Sequence, residues 1–133
     1  MSTDYDSSWD LAETENGYTP ESDDAFERKF AEWEERDWMT WLEDVLSFPF
    51  MVERVEDHDD AYFTDVAEHE PFRLGHEMKV VEFAEEDELY GIIVKVREGR
   101  RVGYVPLCDL EVIPKEDVNY WPVREYVVWF ANR

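Results

Sequence analysis

The chain has 133 residues, of which 35 are Asp or Glu and 13 are Lys or Arg, so its formal net charge is −22. This charge argues against direct binding to nucleic acid or anionic membranes, because phosphate contacts require Lys and Arg. Hydrophobic residues make up 44% of the chain and aromatic residues 16%, which excludes a wholly disordered protein.

The length and the apolar content predict one domain with a core of large aromatic side chains. Residues 1–22 mix Ser, Thr, Asp and Glu, with Gly17 and Pro20 as breakers. We predict that they form an acidic flexible tail and that residues 23–133 form a single domain. The predicted tail contains three large hydrophobic side chains, which are Trp9, Leu11 and Tyr18.

A helical pattern follows the tail. Apolar side chains recur at helical spacing and predict a helix over about 24–46, with a break near Asp37. Asp23 or Asp24 is placed to cap its start, and Pro49 ends the pattern. The apolar positions are Phe26, Phe30, Trp33, Trp41, Leu42, Val45 and Leu46.

Short β-prone segments make up the middle of the chain. Tight turns join them, one of which contains Gly99, a residue that accepts a positive φ. Short strands with tight turns and a brief loop before the last strand predict a small, strongly bent barrel of the SH3 type. The predicted strands are Phe50–Glu56, Met78–Phe83, Tyr90–Val96, Arg101–Pro106 and Glu111–Ile113.

The last predicted element covers residues 120–130. Apolar residues there have helical spacing, and Pro122 falls in the first turn, where a missing amide costs little. This predicts a C-terminal helix packed on the barrel, with a strand as the alternative because Val127–Phe130 is β-prone. The predicted fold class is therefore α+β: a small SH3-like β-barrel with an N-terminal helix and a C-terminal helix.

One segment resembles a known family. Trp41–Phe50, with the sequence WLEDVLSFPF, resembles the W-L-[DE]-D-x-L-x-F-P-F opening of the cyanobacterial calcium-binding protein family. The resemblance continues in Leu74-Gly75, the acidic turn, the hairpin that follows, Val105-Pro106-Leu107 with Leu110, and the aromatic stretch Tyr126–Phe130. It covers residues 38–130 and leaves residues 1–37 outside.

The resemblance implies a small protein that binds calcium without EF-hands, through acidic patches on an α+β domain, and that buffers or senses the ion. Two features depart from the family. The segment 57–70 is longer and more acidic, and the N-terminal helix and tail are additions. Both leave open a partner-binding role, for example with a basic protein.

Two groups of acids match the family's acidic positions. Four carboxylates on one predicted turn, residues 85–88, repel each other unless a cation neutralises them. Two more acids, residues 43 and 44, end the first predicted helix, where negative charge is unfavourable. The resemblance therefore implies Ca²⁺ as the cofactor, an ion that takes six to eight oxygen ligands. The alternative is a solvated turn and a solvated helix face. The predicted ligands are Glu85, Glu86, Asp87, Glu88, Glu43 and Asp44.

Two windows fit an EF-hand loop in part, residues 4–15 and residues 57–68. Trp9 and Tyr62 occupy the sixth positions, where the loop requires glycine. We expect no helix before the first window. We therefore do not expect an EF-hand in either window.

A further acidic cluster contains His58 and His69. Imidazole with carboxylate suits zinc, copper or nickel, although isolated surface histidines are commoner than ligands. Outside this cluster, Asp109 is predicted as a turn cap rather than a ligand. The acids of the cluster are Asp57, Asp59, Asp60, Asp65, Glu68 and Glu70.

The single cysteine, Cys108, cannot form an internal disulfide, which suits a reducing compartment. It lacks the local signature of a catalytic nucleophile, and the chain has no phosphate-binding glycine loop. The N-terminus has no signal-peptide pattern, and no apolar segment reaches membrane-spanning length. We expect a cytoplasmic protein that is not an enzyme, with Cys108 as a buried hydrophobe.

Three functions remain open. The leading one is a calcium buffer or sensor. The alternative is an acidic protein that imitates DNA phosphates and occupies a basic nucleic-acid-binding partner. Mimicry needs carboxylates spread along one face, whereas calcium needs them to converge. A minor third reading is a barrel that docks a peptide through exposed aromatics, although Trp33, Trp38 and Trp41 are more typical of a core.

Overall fold

The computed structural model describes residues 9–10, 20–55 and 74–133. The chain divides into two compact units, Met1–Asp37 and Trp38–Arg133. A tail over residues 1–22 and a domain over residues 23–133 stay a prediction. Within the described ranges, no helix is long and apolar enough to cross a membrane.

The first unit contains helix α1, Pro20–Glu34. The helix begins before Asp23 and Asp24, so the prediction that one of these residues caps its start is wrong. Proline suits the first helical position because its missing amide would have no partner there. Phe26, Phe30 and Trp33 lie at helical spacing, with ring centroids about 6 Å apart. The Trp9 ring meets Trp33 edge-on, at 5.0 Å between centroids.

The second unit begins with helix α2, Trp38–Val45. The predicted break near Asp37 is confirmed, because α1 ends at Glu34 and three residues separate the two helices. The α2 helix buries Trp38 and Leu42, which lie four residues apart on one face.

Five strands follow: β1 Phe50–Arg54, β2 Glu77–Asp87, β3 Gly91–Glu98, β4 Arg101–Pro106 and β5 Leu110–Ile113. They form one antiparallel sheet in the order β4-β3-β2-β1-β5. Alternate residues face the core, as the pleat requires. Eight apolar side chains form the most deeply buried part of the sheet, and these are Val52, Met78, Val80, Ile92, Val94, Val96, Leu110 and Val112.

The sheet is not closed. Strands β4 and β5 are its two edges, and no ladder among the described residues joins them. The predicted α+β class is confirmed, whereas an SH3-like barrel stays a prediction. Strand β2 carries two register shifts, between Val80 and Glu82 and between Phe83 and Glu85. Such bulges bend a strand.

Helix α3, Tyr120–Asn132, closes the chain, which confirms the predicted C-terminal helix. Val123 and Tyr126 are almost fully buried, and Phe130 continues the same stripe at i+4 from Tyr126. The β-prone Val127–Phe130 segment is helical because the helix buries this stripe, and tertiary packing outweighs local propensity.

A buried amide joins α2 to the start of α3. The Asn119 Oδ1 atom accepts a hydrogen bond from the Ser47 amide at 2.7 Å, and Asn119 Nδ2 donates to the Ser47 carbonyl at 3.1 Å. The Asp117 Oδ1 atom accepts from both the Asn119 amide and its Nδ2. The two chain segments are therefore held together by satisfied polar groups.

We expect Gly91→Ala to destabilise the fold more than Gly99→Ala does. A Cβ at Gly91 would lie 2.5 Å from Phe130 Cε2, whereas a Cβ at Gly99 would meet nothing within 4 Å. Both glycines have a positive φ, so both variants share the backbone strain. The extra loss at Gly91, about 1–3 kcal/mol from overpacking, is measured by urea unfolding. Equal losses would contradict the close packing of α3 on Gly91.

Candidate metal centre

The main acidic cluster lies at the end of the β2–β3 hairpin. It was predicted as one turn, and this is wrong in part: Glu85, Glu86 and Asp87 are the last three residues of β2, and only Glu88 lies in the turn. Their backbones pair with Ile93, Ile92 and Gly91, which extends the strand. All four acidic side chains are exposed.

Asp87 has a structural function in the turn. Its Oδ1 atom accepts hydrogen bonds from the amides of Leu89 at 2.7 Å and Tyr90 at 2.9 Å. These amides, that of Tyr90 first, stabilise the charged carboxylate and lower the pKa of Asp87 below its ordinary value. Asp87 is therefore ionised at neutral pH and holds the turn that presents Glu88.

Helix α3 packs against this hairpin end at Gly91 and Ile92. The Tyr126 hydroxyl accepts a hydrogen bond from the Ile92 amide at 2.9 Å, and Phe130 packs against Gly91. Burial raises the pKa of the Tyr126 hydroxyl well above its ordinary value, and the Glu86 carboxylate adds to the rise. The C-terminal turn of α3 therefore lies beside the acidic end of β2.

The second predicted pair, Glu43 and Asp44, lies in the last turn of α2, and both side chains are exposed. No basic residue lies in that turn, so these two charges add to the negative end of the helix dipole. The sequence therefore placed this pair correctly on a helix end.

The structure does not assemble the six predicted ligands into one coordination sphere. Among residues 9–10, 20–55 and 74–133, no group of three or more His, Cys, Asp or Glu side chains could hold a metal ion as placed. Successive strand residues point to opposite faces, so Glu86 lies on the face opposite Glu85 and Asp87. The donor chemistry still fits calcium, which takes carboxylate oxygens and completes its shell with water.

Several predictions lie outside the described residues. The EF-hand window 57–68 and the cluster with His58 and His69 fall wholly there, and the window 4–15 falls there except for Trp9 and Asp10.

One acid that was predicted as a turn cap forms an ion pair instead. Asp109 is fully buried, and its Oδ2 atom accepts a hydrogen bond from the Arg54 guanidinium at 2.9 Å. The pair joins the 3-10 turn Leu107–Asp109 to the end of β1. Cys108 is buried, as predicted. Nothing local in the sequence links residues that are 55 positions apart.

These features define an acidic α+β protein whose exposed carboxylates lie at a hairpin end and at a helix end. The chain belongs to the CcbP family, described as calcium binding, because the model of that family matches residues 27–130. The predicted resemblance and the predicted ion are thereby confirmed for the family. The match begins within α1, so the prediction that residues 1–37 lie outside the family is wrong in part.

Two solved structures are similar to this chain. One is the crystal structure of Anabaena CcbP, with 27% sequence identity, a TM-score of 0.52 and coverage of 71% of each chain. The other is a calcium binding protein in its calcium-binding form, with 24% identity, a TM-score of 0.50 and coverage of 71% of this chain and 72% of that one. The second shows likeness of fold alone. No curated protein matches the chain.

We expect the Asp87 carboxyl to titrate below the ordinary aspartate value of 3.8. The folded-state pKa is depressed, so this contribution to turn stability is present above the unfolded-state pKa. It is lost as pH falls through the folded-state pKa. A pH titration by NMR should show the Leu89 and Tyr90 amide signals moving together with the Asp87 carboxyl signal.

The control for this titration is Asp87→Asn, in which an amide oxygen can accept the same two bonds but does not titrate. If the two amides moved alike in both proteins, their shifts would come from another group, and the proposed function of Asp87 in the turn would be wrong.

Proposed function

We propose that this protein binds calcium through exposed carboxylates at the end of the β2–β3 hairpin and acts as a calcium buffer or sensor. Glu85, Asp87 and Glu88 supply oxygen ligands once their exposed side chains rotate toward one ion, with water completing the shell. Glu86 adds negative charge from the opposite face of β2. Glu43 and Asp44 supply a second acidic position at the end of α2. The role is binding rather than catalysis, in the cytoplasm.

The observation that carries the proposal is the charge of the hairpin end. It has four consecutive exposed carboxylates, and within the described part of the chain none of them forms an ion pair with Lys or Arg. Like charges this close repel each other, and a bound cation relieves that repulsion. A divalent ion with oxygen ligands is the natural counter-ion.

The DNA-mimic alternative has no support from the family, which is described as calcium binding. A basic protein partner stays a prediction from the net charge.

We expect a calcium titration by isothermal calorimetry to give a saturable heat. The double variant Glu86→Gln/Asp87→Asn should weaken calcium binding about tenfold or more, because ligand charge sets affinity. It leaves the turn intact, because Asn accepts the same two amides. Magnesium should give a much weaker response, since it gives up its hydration water reluctantly.

The matched control is Glu27→Gln/Glu34→Gln, which removes two exposed carboxylates from α1. It should leave calcium affinity within about twofold. Equal losses in the two double variants would show that calcium responds only to net charge, and the hairpin site would be wrong. A parallel titration of Glu43→Gln/Asp44→Asn tests the second position.

A further inference from the structure

The face of the sheet that is turned away from the core carries two rows of charge. One row crosses three strands, where Glu111, Glu53 and Glu77 lie directly opposite one another. The other row lies two residues further along the strands and contains Ile113, Met51, Lys79, Arg97 and Val102. Residues two apart on a strand share a face, so both rows are on the same surface.

Each row places like charges side by side. Directly opposed like charges weaken a sheet, and both Glu53–Glu77 and Lys79–Arg97 are such pairs. Among the described residues, none of the five charged side chains in the rows forms an ion pair. The surface is therefore one acidic row beside one basic and apolar row, and no ion pair with another described residue neutralises either row.

The basic row also contains apolar side chains that are exposed to solvent, and strand β4 at its edge adds another. Met51 is 38% exposed and Val102 is 48% exposed, and Tyr104 on the same edge strand is 63% exposed. Met51 on β1 and Val102 and Tyr104 on β4 therefore flank Lys79 and Arg97 on the same open face. Exposed apolar side chains of this kind can be covered by another protein.

On strand β2 this pattern is complementary to itself, because Glu77 and Lys79 lie two residues apart on one face. A two-fold axis that runs across the strands, between the two rows, places the acidic row of one copy over the basic row of the other. Each Glu77 then faces the Lys79 of the second copy, and Glu53 faces Met51. Two-fold interfaces require this relation, in which residue i meets j and j meets i. Two sheets pack face to face about 10 Å apart in this way.

We propose that the outer face of the sheet is a docking surface for a second copy of this chain, which pairs the two sheets through Glu77 and Lys79. The inference goes beyond calcium binding and does not depend on the position of the calcium site. Two chains of −22 repel each other at long range, so the dimer is weak and forms at high protein concentration.

The test is sedimentation velocity of the full chain over about a hundredfold range of concentration, for the wild type and two charge reversals. We expect the wild type to self-associate. Lys79→Glu and Glu77→Lys should each weaken association about tenfold or more, because each sets like charges against each other in the dimer. Circular dichroism confirms that each variant is folded, as expected for exposed positions.

An equimolar mixture of the two variants separates this pairing from other causes. The Lys79→Glu chain carries an acid at both positions, and the Glu77→Lys chain carries a base at both. Opposite charges therefore face each other in the mixed dimer, and association should return.

The control is Arg100→Glu, which changes an exposed turn residue outside both rows. It makes the same charge change as Lys79→Glu and should alter association by about twofold or less.

Three results would overturn the proposal: a wild type that is monomeric at every concentration, a mixture that stays monomeric, or an Arg100→Glu variant that weakens association as much as Lys79→Glu does.

Discussion

The packing of helix α3 on the end of the β2–β3 hairpin depends on one position that has no side chain. Gly91 has a φ of +72°, and Tyr126 and Phe130 occupy the space where a Cβ would lie. The Tyr126 hydroxyl accepts the Ile92 amide at 2.9 Å, and its ring lies 5.5 Å from that of Trp38 on α2. One tyrosine thus joins the hairpin to both helices of this unit. The backbone at this hairpin end therefore packs against α3, whereas the neighbouring carboxylates are exposed to solvent.

The acids of the chain have different functions according to their burial. Asp109 is fully buried and is paired with Arg54, because a buried carboxylate without a partner would cost several kcal/mol. Asp87 is exposed and is occupied by two backbone amides. Glu85, Glu86 and Glu88 form no ion pair within the described residues. These three therefore carry negative charge that no ion pair within the described residues neutralises.

The charged side chains are also arranged differently on different surfaces of the protein. At the hairpin end, carboxylates stand together without cations, which favours a divalent ion. On the outer face of the sheet, acids and bases stand in separate rows, which favours a second protein surface. A net charge of −22 predicts neither arrangement, because it counts charges and does not locate them.

The local sequence pattern was sufficient to predict much of the fold and to indicate the family. Periods of 3.6 and 2 predicted the broken first helix, the five strands and the C-terminal helix, because each element buries one face. The segment Trp41–Phe50 indicated the family and, through it, calcium. The pattern placed residues 85–88 in a turn, because four acids in a row resemble a loop. In the structure the pairing of Glu85 and Glu86 with Ile93 and Ile92 extends the strand past that point.

The amino-acid sequence by itself determined the α+β class and the acidic excess, since periodicity and composition can be read without coordinates, and its family motif indicated the kind of ion. Tertiary structure decided which acids are buried, which lie together and which face cations. The Arg54–Asp109 pair, the Asn119–Ser47 bonds and the two charged rows each join residues from separate elements. Strand register and helix packing bring them together, and both are set by the burial of distant apolar side chains rather than by local sequence.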